Sequence, residues 1–467
     1  MGKRSVLYRF DERPRMAAAV SPVFLLLLIL FFNTTHAMST TSNNNVNMKS
    51  PPIIPRQILE SRLRNSLWSL FAGDALASPT HWYYGGFPQI QRDYGPAGIT
   101  GYTKPKLHLE GSILNKSDPN GGGRLKTSSS GSLFGFGRNK NSNDKKVTII
   151  GDVINHGKLP YWSPTESYHY HATLQSGENT LEAQLVRVLL KSIVATNGSF
   201  SPSHFRQAYV DFMTTAGSHN DTYASTCHRM FFANMVFGGL DPKDCPDNDG
   251  HNVDAIDGLI LPTVVVLAET VRRLKIDAGS GSVVLEEEAK NAVRTAAAQT
   301  ASVTRSSKLL GRVSEVWADI VIASLLAPTE EDFNTSLTAS ARKLGLSPPR
   351  SDGRDQLTAC YLSQSLPSAL DMICKYTQQS TKLGGTGLMC WKALLANANV
   401  GGENVHRGSL LGAVLGARVV DENGSSLPAE LKEGLHHKKE IGKEIDSFVS
   451  TILGQNGDRM GDAKEEL

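Results

Sequence analysis

Apolar residues recur at helical spacing along most of the chain. Leu59, Leu63, Leu67 and Leu70 are three or four residues apart and therefore share one face of a helix. Similar stripes lie in the segments LEAQLVRVLLKSI, VSEVWADIVIASLLA, MCWKALLANA and EIGKEIDSFVSTIL. Sustained alternation of apolar and polar residues, which is typical of strands, is nearly absent. The pattern predicts an all-α fold.

Three polar blocks bound or interrupt these stripes. They are a linker at residues 38–55, a Gly/Ser/Asn/Lys-rich block at 115–146 and a tail at 454–467. Segments of such composition cannot bury enough apolar surface to form a core. We therefore expect one domain over residues 56–453, with a disordered insertion at 115–146 and a flexible tail. The run DGLILPTVVVL is long enough to be a buried helix, whereas VTII remains ambiguous.

The N-terminal 37 residues have the pattern of a targeting segment. The run from Val23 to Phe32 is apolar, follows Arg13 and Arg15, and precedes the small residues Thr35 and Ala37. Because a membrane span needs about 20 apolar residues, this run is short for one. We expect a signal cleaved after Ala37 and a destination in the secretory pathway or an organelle. An uncleaved anchor and the first half of an organelle leader are the alternatives.

Charge and cysteine content exclude several classes of function. A net charge of +3 over 467 residues gives no basic surface for a nucleic acid or an anionic membrane. The five cysteines have no Cys-x-x-Cys spacing, so neither a zinc ribbon nor a dense disulfide scaffold is indicated. We expect a small-molecule substrate as the partner, and the oligomeric state is left open.

The leucine stripe of the first helix continues to an acid, Asp74. A carboxylate on the core face is costly unless it is paired, hydrogen-bonded or bound to a cation. Asp74 is therefore a candidate site residue. The alternative is that it caps a neighbouring loop or helix.

The trio Gly-Glu-Asn occurs twice, each time just before an apolar helix. Glu178 and Asn179 precede one helix, and Glu403 and Asn404 precede another. An acid in a first turn is ordinarily explained by the helix dipole. Two such helix starts that meet in the interior would instead hold a hard cation through side-chain oxygens, or a phosphate through backbone amides.

A row of small residues follows the second trio. Asn404, Gly408, Gly412 and Gly416 recur every four residues along one helical face. Glycine lowers helix stability, so the row predicts close approach of another helix backbone.

These landmarks resemble the ADP-ribosylglycohydrolase superfamily, and within it the J1-crystallin-like branch. Gly73 to Leu76 resembles the end of the family's first helix. Residues 177–180 correspond to its Thr-Asp-Asp-Thr motif, and residues 401–406 to its Gly-Gly-Asp-Thr-Asp-Thr motif. The segment DNDGHNVDAIDGLILP is similar to its substrate-contacting segment, and ASVTRSS places Arg305 where the family has a histidine. The resemblance implies an orthogonal multi-helix bundle that binds ADP-ribose and cleaves its glycosidic bond with two Mg²⁺ ions.

The chain departs from the family pattern at the metal motifs. His81 stands where a Glu is expected, two Asp pairs are replaced by Glu-Asn, and Val405 replaces a metal-binding Asp. Fewer carboxylates hold two dications less well. With His169 and His171 nearby, the donors favour a softer cation such as Zn²⁺, or no metal, with Glu as base and His as acid.

The expected site follows from these correspondences. The expected catalytic residues are Asp74, His81, Glu178 and Glu403. The expected substrate-binding residues are His171, Asn179, Asn252, Asp254, Asn404 and His406. The expected ligands of a retained divalent cation, Mg²⁺ or another, are Glu178, Thr180, Glu403 and His406. Further candidates are His219, Asn220, Asp221 and His228. The alternative function is a non-catalytic ADP-ribose-binding pseudoenzyme or a crystallin-like structural protein.

Overall fold

The computed structural model describes residues 54–126, 147–276, 283–419 and 426–461, without the side chains of 251, 252, 276 and 455–461. The predicted signal segment, nearly all of the linker, and residues 127–146 of the predicted insertion lie outside the described residues. Within the described insertion, Leu114–Lys116 forms a helical turn, and the Lys126 backbone N–H donates to Asn234 Oδ1 at 2.9 Å.

Helices account for almost all regular structure in these ranges. They are α1 (Arg56–Ala77), α2 (Gly86–Tyr94), α3 (Leu181–Ala195), α4 (Pro202–Thr214), α5 (Thr226–Val236), α6 (Gly250–Val253), α7 (Ile260–Arg272), α8 (Glu287–Ala301), α9 (Lys308–Leu326), α10 (Glu330–Lys343), α11 (Leu362–Gln378), α12 (Thr386–Val400), α13 (Val405–Ala417), α14 (Ala429–Glu433) and α15 (Lys438–Gly461). The described strands are β1 (Lys275–Ile276) and β2 (Val283–Val284), which pair antiparallel. The predicted all-α fold is confirmed.

Two ambiguous segments are now assigned. The run DGLILPTVVVL enters α7, whose residues from Ile260 to Val271 are all buried, so it is a core helix as expected. VTII leads into a kinked turn at Ile149–Val153 and not into a strand. Helix α15 continues to Gly461 and so includes the first part of the predicted tail. Among the described residues, none of these helices is both long and apolar enough to cross a bilayer.

Helices α1 and α13 pack backbone to backbone along the glycine row. A side chain built on Gly408 would collide with the Gly73 carbonyl, one on Gly412 with the Ser69 carbonyl, and one on Gly416 with the Asn65 carbonyl. The predicted close approach of a second helix is confirmed, and the partner is the leucine-striped first helix. This contact fixes the C-terminal end of α1 beside the N-terminal end of α13.

We predict that Gly412→Ala lowers the free energy of unfolding by about 1–3 kcal/mol, because the new Cβ overpacks against the backbone of Ser69. The matched control is Gly311→Ala in α9, where the nearest atom to a new Cβ is 4.0 Å away. Removing a helical glycine at such an open position raises stability by about 0.5–1 kcal/mol. Urea unfolding of both variants checks the pair. Stabilisation by both substitutions would contradict the packing argument.

The candidate residues meet where three chain segments converge. The turn after α1 carries His81 and Trp82, and the Trp82 N–H donates to the Gly402 carbonyl at 2.8 Å. The loop before α13 uses positive φ at Gly401 (77°) and Gly402 (61°), which glycine adopts without strain. The loop before α3 is held by Asp74, which accepts hydrogen bonds from Asn179 and Thr180.

Candidate functional site

Glu403 lies at the centre of a buried polar cluster. Its side chain is fully buried and faces His406 Nδ1 at 2.6 Å, Trp82 Nε1 at 3.0 Å and His81 Nε2 at 3.4 Å. The backbone N–H of Glu403 donates to the Thr358 carbonyl at 2.9 Å, which holds the loop in place. His81, Glu403 and His406 offer three potential metal-ligand atoms within 4.8 Å of one another. We call these three residues the Glu403 centre.

The Glu403 centre contains one ion pair and one neutral imidazole. Burial alone would raise the pKa of Glu403, but His406 and His81 hold that pKa well below its usual range. Burial opposes the charged form of His406 as well, yet the Glu403 carboxylate raises the pKa of His406 to about 10. Burial dominates at His81 and lowers its pKa to about 4. At neutral pH, Glu403 is therefore ionised, His406 is cationic and His81 is neutral.

We predict a pH-dependent stability that depends on His406. Its pKa is about 6.5 in an unfolded chain and about 10 in the folded protein. Its contribution is therefore fully present below pH 6.5 and is lost as the pH rises toward 10. Unfolding by urea from pH 7 to 10, with a chelator present, is expected to show a steeper loss of stability for wild type than for His406→Gln. Parallel curves would contradict the assignment, and exposed His108→Gln is the control.

A chain of hydrogen bonds leads from the Glu403 centre to Asp221. His81 Nδ1 lies 2.7 Å from His171 Nε2, and His171 Nδ1 lies 2.8 Å from Asp221 Oδ1. The other Asp221 oxygen accepts from the Leu181 N–H at 2.9 Å, at the start of α3. Burial would raise the pKa of Asp221, but His171 and these hydrogen bonds lower it. We call His81, His171 and Asp221 the histidine relay.

The relay restricts where protons can lie. Because ionised Asp221 only accepts, His171 Nδ1 carries a proton. When His171 is neutral, its Nε2 accepts a hydrogen bond from His81 Nδ1–H. His81 Nε2 then carries no proton, so its lone pair faces the Glu403 carboxylate and the contact is repulsive. One further positive charge, either a proton on the relay or a cation beside Glu403, is needed to make this contact attractive. The geometry thus provides a place for one mobile proton or one cation.

Asp74 holds the loop that precedes α3. Its buried carboxylate accepts from Asn179 Nδ2 at 2.9 Å, the Thr180 N–H at 2.8 Å and the Thr180 hydroxyl at 2.6 Å. Burial raises its pKa, against the effect of these hydrogen bonds. Asn179 also donates to the Phe71 carbonyl at 2.7 Å. Asn179 and Thr180 therefore connect the start of α3 to α1. These contacts are those of a residue that caps a neighbouring loop and helix, which was the alternative interpretation of Asp74.

Glu178 belongs to a different group of potential ligands from Glu403. One of its oxygens, Oε2, accepts from the Gln175 N–H at 2.7 Å and from Asn220 Nδ2 at 3.1 Å. Among the described residues, it shares a potential ligand group with His436 and His437 and not with the Glu403 centre. The structure therefore places the two repeated glutamates in different clusters.

The remaining candidates have different surroundings. Asn404 donates to the Thr80 hydroxyl at 2.8 Å, while its buried Oδ1 has no hydrogen-bond partner among the described residues. Asp254 is partly buried and accepts from the Ser307 hydroxyl. The Asn252 side chain lies outside the described part of the structure. His219 Nδ1 accepts from the Asp221 backbone N–H at 3.2 Å, next to the histidine relay, and His228 Nε2 is 2.9 Å from Glu182.

The cluster also contains aromatic residues that were not expected from the sequence. Trp82 adopts a positive φ of 59°, which is unusual for a bulky residue, and its ring stacks on His81 at 4.0 Å. Tyr170 and Tyr223 meet the same indole edge to face, at 4.3 and 5.1 Å. The aromatic run HWYYGG was the available signal. These three rings form an aromatic wall beside Glu403.

A buried ion pair lies behind the centre. Arg305 contacts Asp257 through two hydrogen bonds, at 2.8 and 2.6 Å, and both side chains are almost fully buried. The carboxylate of Asp257 contributes to the raised pKa of His406. Arg305 therefore has a defined acidic partner.

Comparisons with known proteins gave a family match and a structural match. The family model described as ADP-ribosylglycohydrolase matches residues 55–459. A solved structure described as an ADP-ribosylglycohydrolase-related protein complex is 14% identical, covers 85% of this chain and 99% of its own, and has a TM-score of 0.45. No curated protein matches the chain.

Proposed function

Since the chain belongs to the ADP-ribosylglycohydrolase family, we propose that it cleaves a glycosidic bond of an ADP-ribosyl or related nucleotide substrate at the Glu403 centre. The observation that carries this proposal is the buried carboxylate placed between a cationic and a neutral imidazole. A structural role does not require this arrangement, since burial of charged groups is costly. We further place the chain in the J1-crystallin-like branch, whose metal motifs would be altered as they are here.

In this proposal Glu403 is the general base. It takes a proton from a water molecule whose oxygen bonds to the anomeric carbon while the glycosidic bond breaks. Cationic His406 protonates the departing group. At the end of the cycle Glu403 releases its proton to bulk water and His406 takes one up from it, so both groups return to their starting states. A group with a lowered pKa beside a group with a raised pKa is a common arrangement for base and acid catalysis near neutral pH.

The histidine relay positions the base. Asp221 fixes the His171 tautomer, and His171 in turn orients the His81 ring whose Nε2 faces Glu403. His81 Nε2 can accept a hydrogen bond from Glu403 once that carboxyl group is protonated. We propose that the aromatic wall of Trp82, Tyr170 and Tyr223 packs against the apolar faces of the sugar or base of the substrate.

A divalent cation fits the Glu403 centre, as is typical of the family. Two imidazoles and one carboxylate are ligands that Zn²⁺ accepts, and their three potential ligand atoms lie within 4.8 Å of one another. The orphaned Asn404 Oδ1 is a further oxygen close by. His81, Glu403 and deprotonated His406 would hold the cation, which would lower the pKa of a bound water. In that state His406 would be a ligand and would not serve as the cationic acid. The single carboxylate is poorly suited to two Mg²⁺ ions.

Purified full-length protein, incubated with ADP-ribosylated peptides and with ADP-ribose conjugates, tests the proposal. We expect release of free ADP-ribose by wild type, and a rise in melting temperature on adding ADP-ribose. A thermal shift without turnover would instead indicate an ADP-ribose-binding pseudoenzyme. Neither a shift nor turnover would favour the structural, crystallin-like alternative.

A further inference from the structure

A second group of potential metal ligands lies outside the Glu403 centre. Glu178, His436 and His437 each offer one ligand atom, and the three atoms lie within 4.8 Å of one another. Glu178 is buried, His437 is half-buried and His436 is exposed, so the group opens to solvent on one side. Nothing in the proposed hydrolysis uses these histidines, which follow the last family motif in the chain.

The backbone holds the two contributing loops together without a metal. The His436 N–H donates to the Gly177 carbonyl at 3.0 Å, so residue 436 lies beside the residue that precedes Glu178. Gly177 has a φ of 74°, and a side chain on it would collide with the Gly434 carbonyl. The loop before α3 and the loop before α15 are therefore held side by side by backbone contacts, so that residues of both loops can bind the same ion.

The carboxylate of Glu178 is oriented before any ion binds. Its Oε2 accepts from the Gln175 N–H and from Asn220 Nδ2, and a carboxylate oxygen of Glu178 lies within 4.8 Å of a ligand nitrogen of each histidine. Asn220 is itself fixed, because it donates to the Thr173 carbonyl at 2.6 Å and accepts from Lys158 Nζ at 2.9 Å. Such outer partners of a ligating carboxylate are typical of built metal sites.

The surrounding charges are compatible with a bound cation. Burial, together with His436 and Arg187, lowers the pKa of His437, so its imidazole is neutral and able to ligate at neutral pH. Arg187 contacts Glu444 at 2.7 and 3.0 Å, and Glu444 also pairs with Lys191 Nζ at 2.9 Å, so two cations share this carboxylate. Glu440, on the first turn of α15, adds negative charge beside His437.

We propose that Glu178, His436 and His437 form a second, surface-accessible site for a borderline divalent cation such as Zn²⁺. Two imidazole nitrogens and one carboxylate oxygen favour Zn²⁺, Co²⁺ or Ni²⁺ over Mg²⁺ and Ca²⁺, which prefer oxygen ligands. The ion ties the start of α3 to the start of α15 and keeps an outward position open for water. This inference stands independently of the hydrolytic function.

Stripped full-length protein titrated with ZnCl₂ by calorimetry tests the site. We expect the His436→Ala/His437→Ala variant to bind one equivalent of Zn²⁺ fewer than wild type and to lose the corresponding rise in melting temperature. Glu178→Gln is expected to weaken the same equivalent by at least 10-fold, in line with the loss of an anionic ligand. The matched control is His108→Ala, which removes an exposed histidine that is 3.7 Å from Glu166.

A companion variant separates the two centres. His81→Gln is expected to leave the Glu178 equivalent unchanged. Co²⁺ added in place of Zn²⁺ should give a visible absorption band in His81→Gln that the triple variant His81→Gln/His436→Ala/His437→Ala lacks. Equal stoichiometry and equal thermal shifts in wild type and the double variant would overturn the proposal. Failure of ADP-ribosyl hydrolysis would leave it untouched, since no step of this test uses turnover.

Discussion

Glu403→Gln is expected to lower the rate of glycosidic cleavage by about 10²–10⁴-fold, which is the usual contribution of a general base. Glutamine keeps the size of the side chain and its contact with Trp82 Nε1, but it cannot accept a proton from water. The substitution also removes the anion that raises the pKa of His406, so the acid loses its charge at neutral pH. Steady-state cleavage of an ADP-ribosylated substrate measures the loss, and far-ultraviolet circular dichroism checks folding.

The matched control is Glu269→Gln in α7. Glu269 is also buried, at 2% exposure, and accepts from the Phe200 N–H and from Arg272 and Arg273. Its replacement is expected to reduce stability without changing the rate of cleavage per folded molecule. If Glu403→Gln retained wild-type turnover while remaining folded, the assignment of the base would be wrong. His81→Gln gives a second readout, a shift in the pH profile of the rate.

Arg305→Met is expected to lower the free energy of unfolding by about 3–5 kcal/mol, because it leaves the Asp257 carboxylate buried without its partner. The charged form of Asp257 depends chiefly on Arg305, which lowers its pKa against the effect of burial. Urea unfolding at pH 7 measures the loss. The companion variant Arg305→Met/Asp257→Leu removes both charges and is expected to recover most of the stability.

An exposed ion pair supplies the control for this prediction. Arg92 and Glu110 lie 3.1 Å apart with side-chain exposures of 61% and 84%. Arg92→Met is expected to change stability by no more than about 1 kcal/mol, since solvent screens such pairs. Similar losses for Arg92→Met and Arg305→Met, or no recovery in the double variant, would contradict the burial argument.

The parts of the structure that depend on local periodicity could be predicted from the sequence. The leucine stripe of α1 and the glycine row of α13 each identify a buried face, and the glycine row also predicts the close approach of another helix. The sequence did not show that this helix is α1. Asp74 is an acid on a core face, so its need for hydrogen-bond partners could be foreseen. The identity of those partners, Asn179 and Thr180, depends on the packing of distant segments.

The direction of Glu178 could not be obtained from helical spacing. Helix α3 begins at Leu181, so Glu178 lies in the preceding loop, where a period of 3.6 residues no longer applies. Its nearest potential co-ligands, His436 and His437, come more than 250 residues later. The histidine relay has the same origin, since Asp221 reaches His171 only through the arrangement of loops.

Trp82 illustrates a different limit. Its left-handed backbone is imposed by tertiary contacts, including the hydrogen bond to the Gly402 carbonyl, and no local propensity favours it. An aromatic run can indicate a binding surface, but it does not show that one indole would donate to an acid more than 300 residues away.

The backbone-to-backbone contact between α1 and α13 limits how far the two helices can move relative to each other. His81 follows the end of one of these helices, and Glu403 precedes the start of the other. Because main chain meets main chain there, few rotamers are available to absorb thermal motion or solvent swelling. The distance between the His81 imidazole and the Glu403 carboxylate is therefore set by a direct contact between two helix backbones. Movements of loops elsewhere need not change this distance.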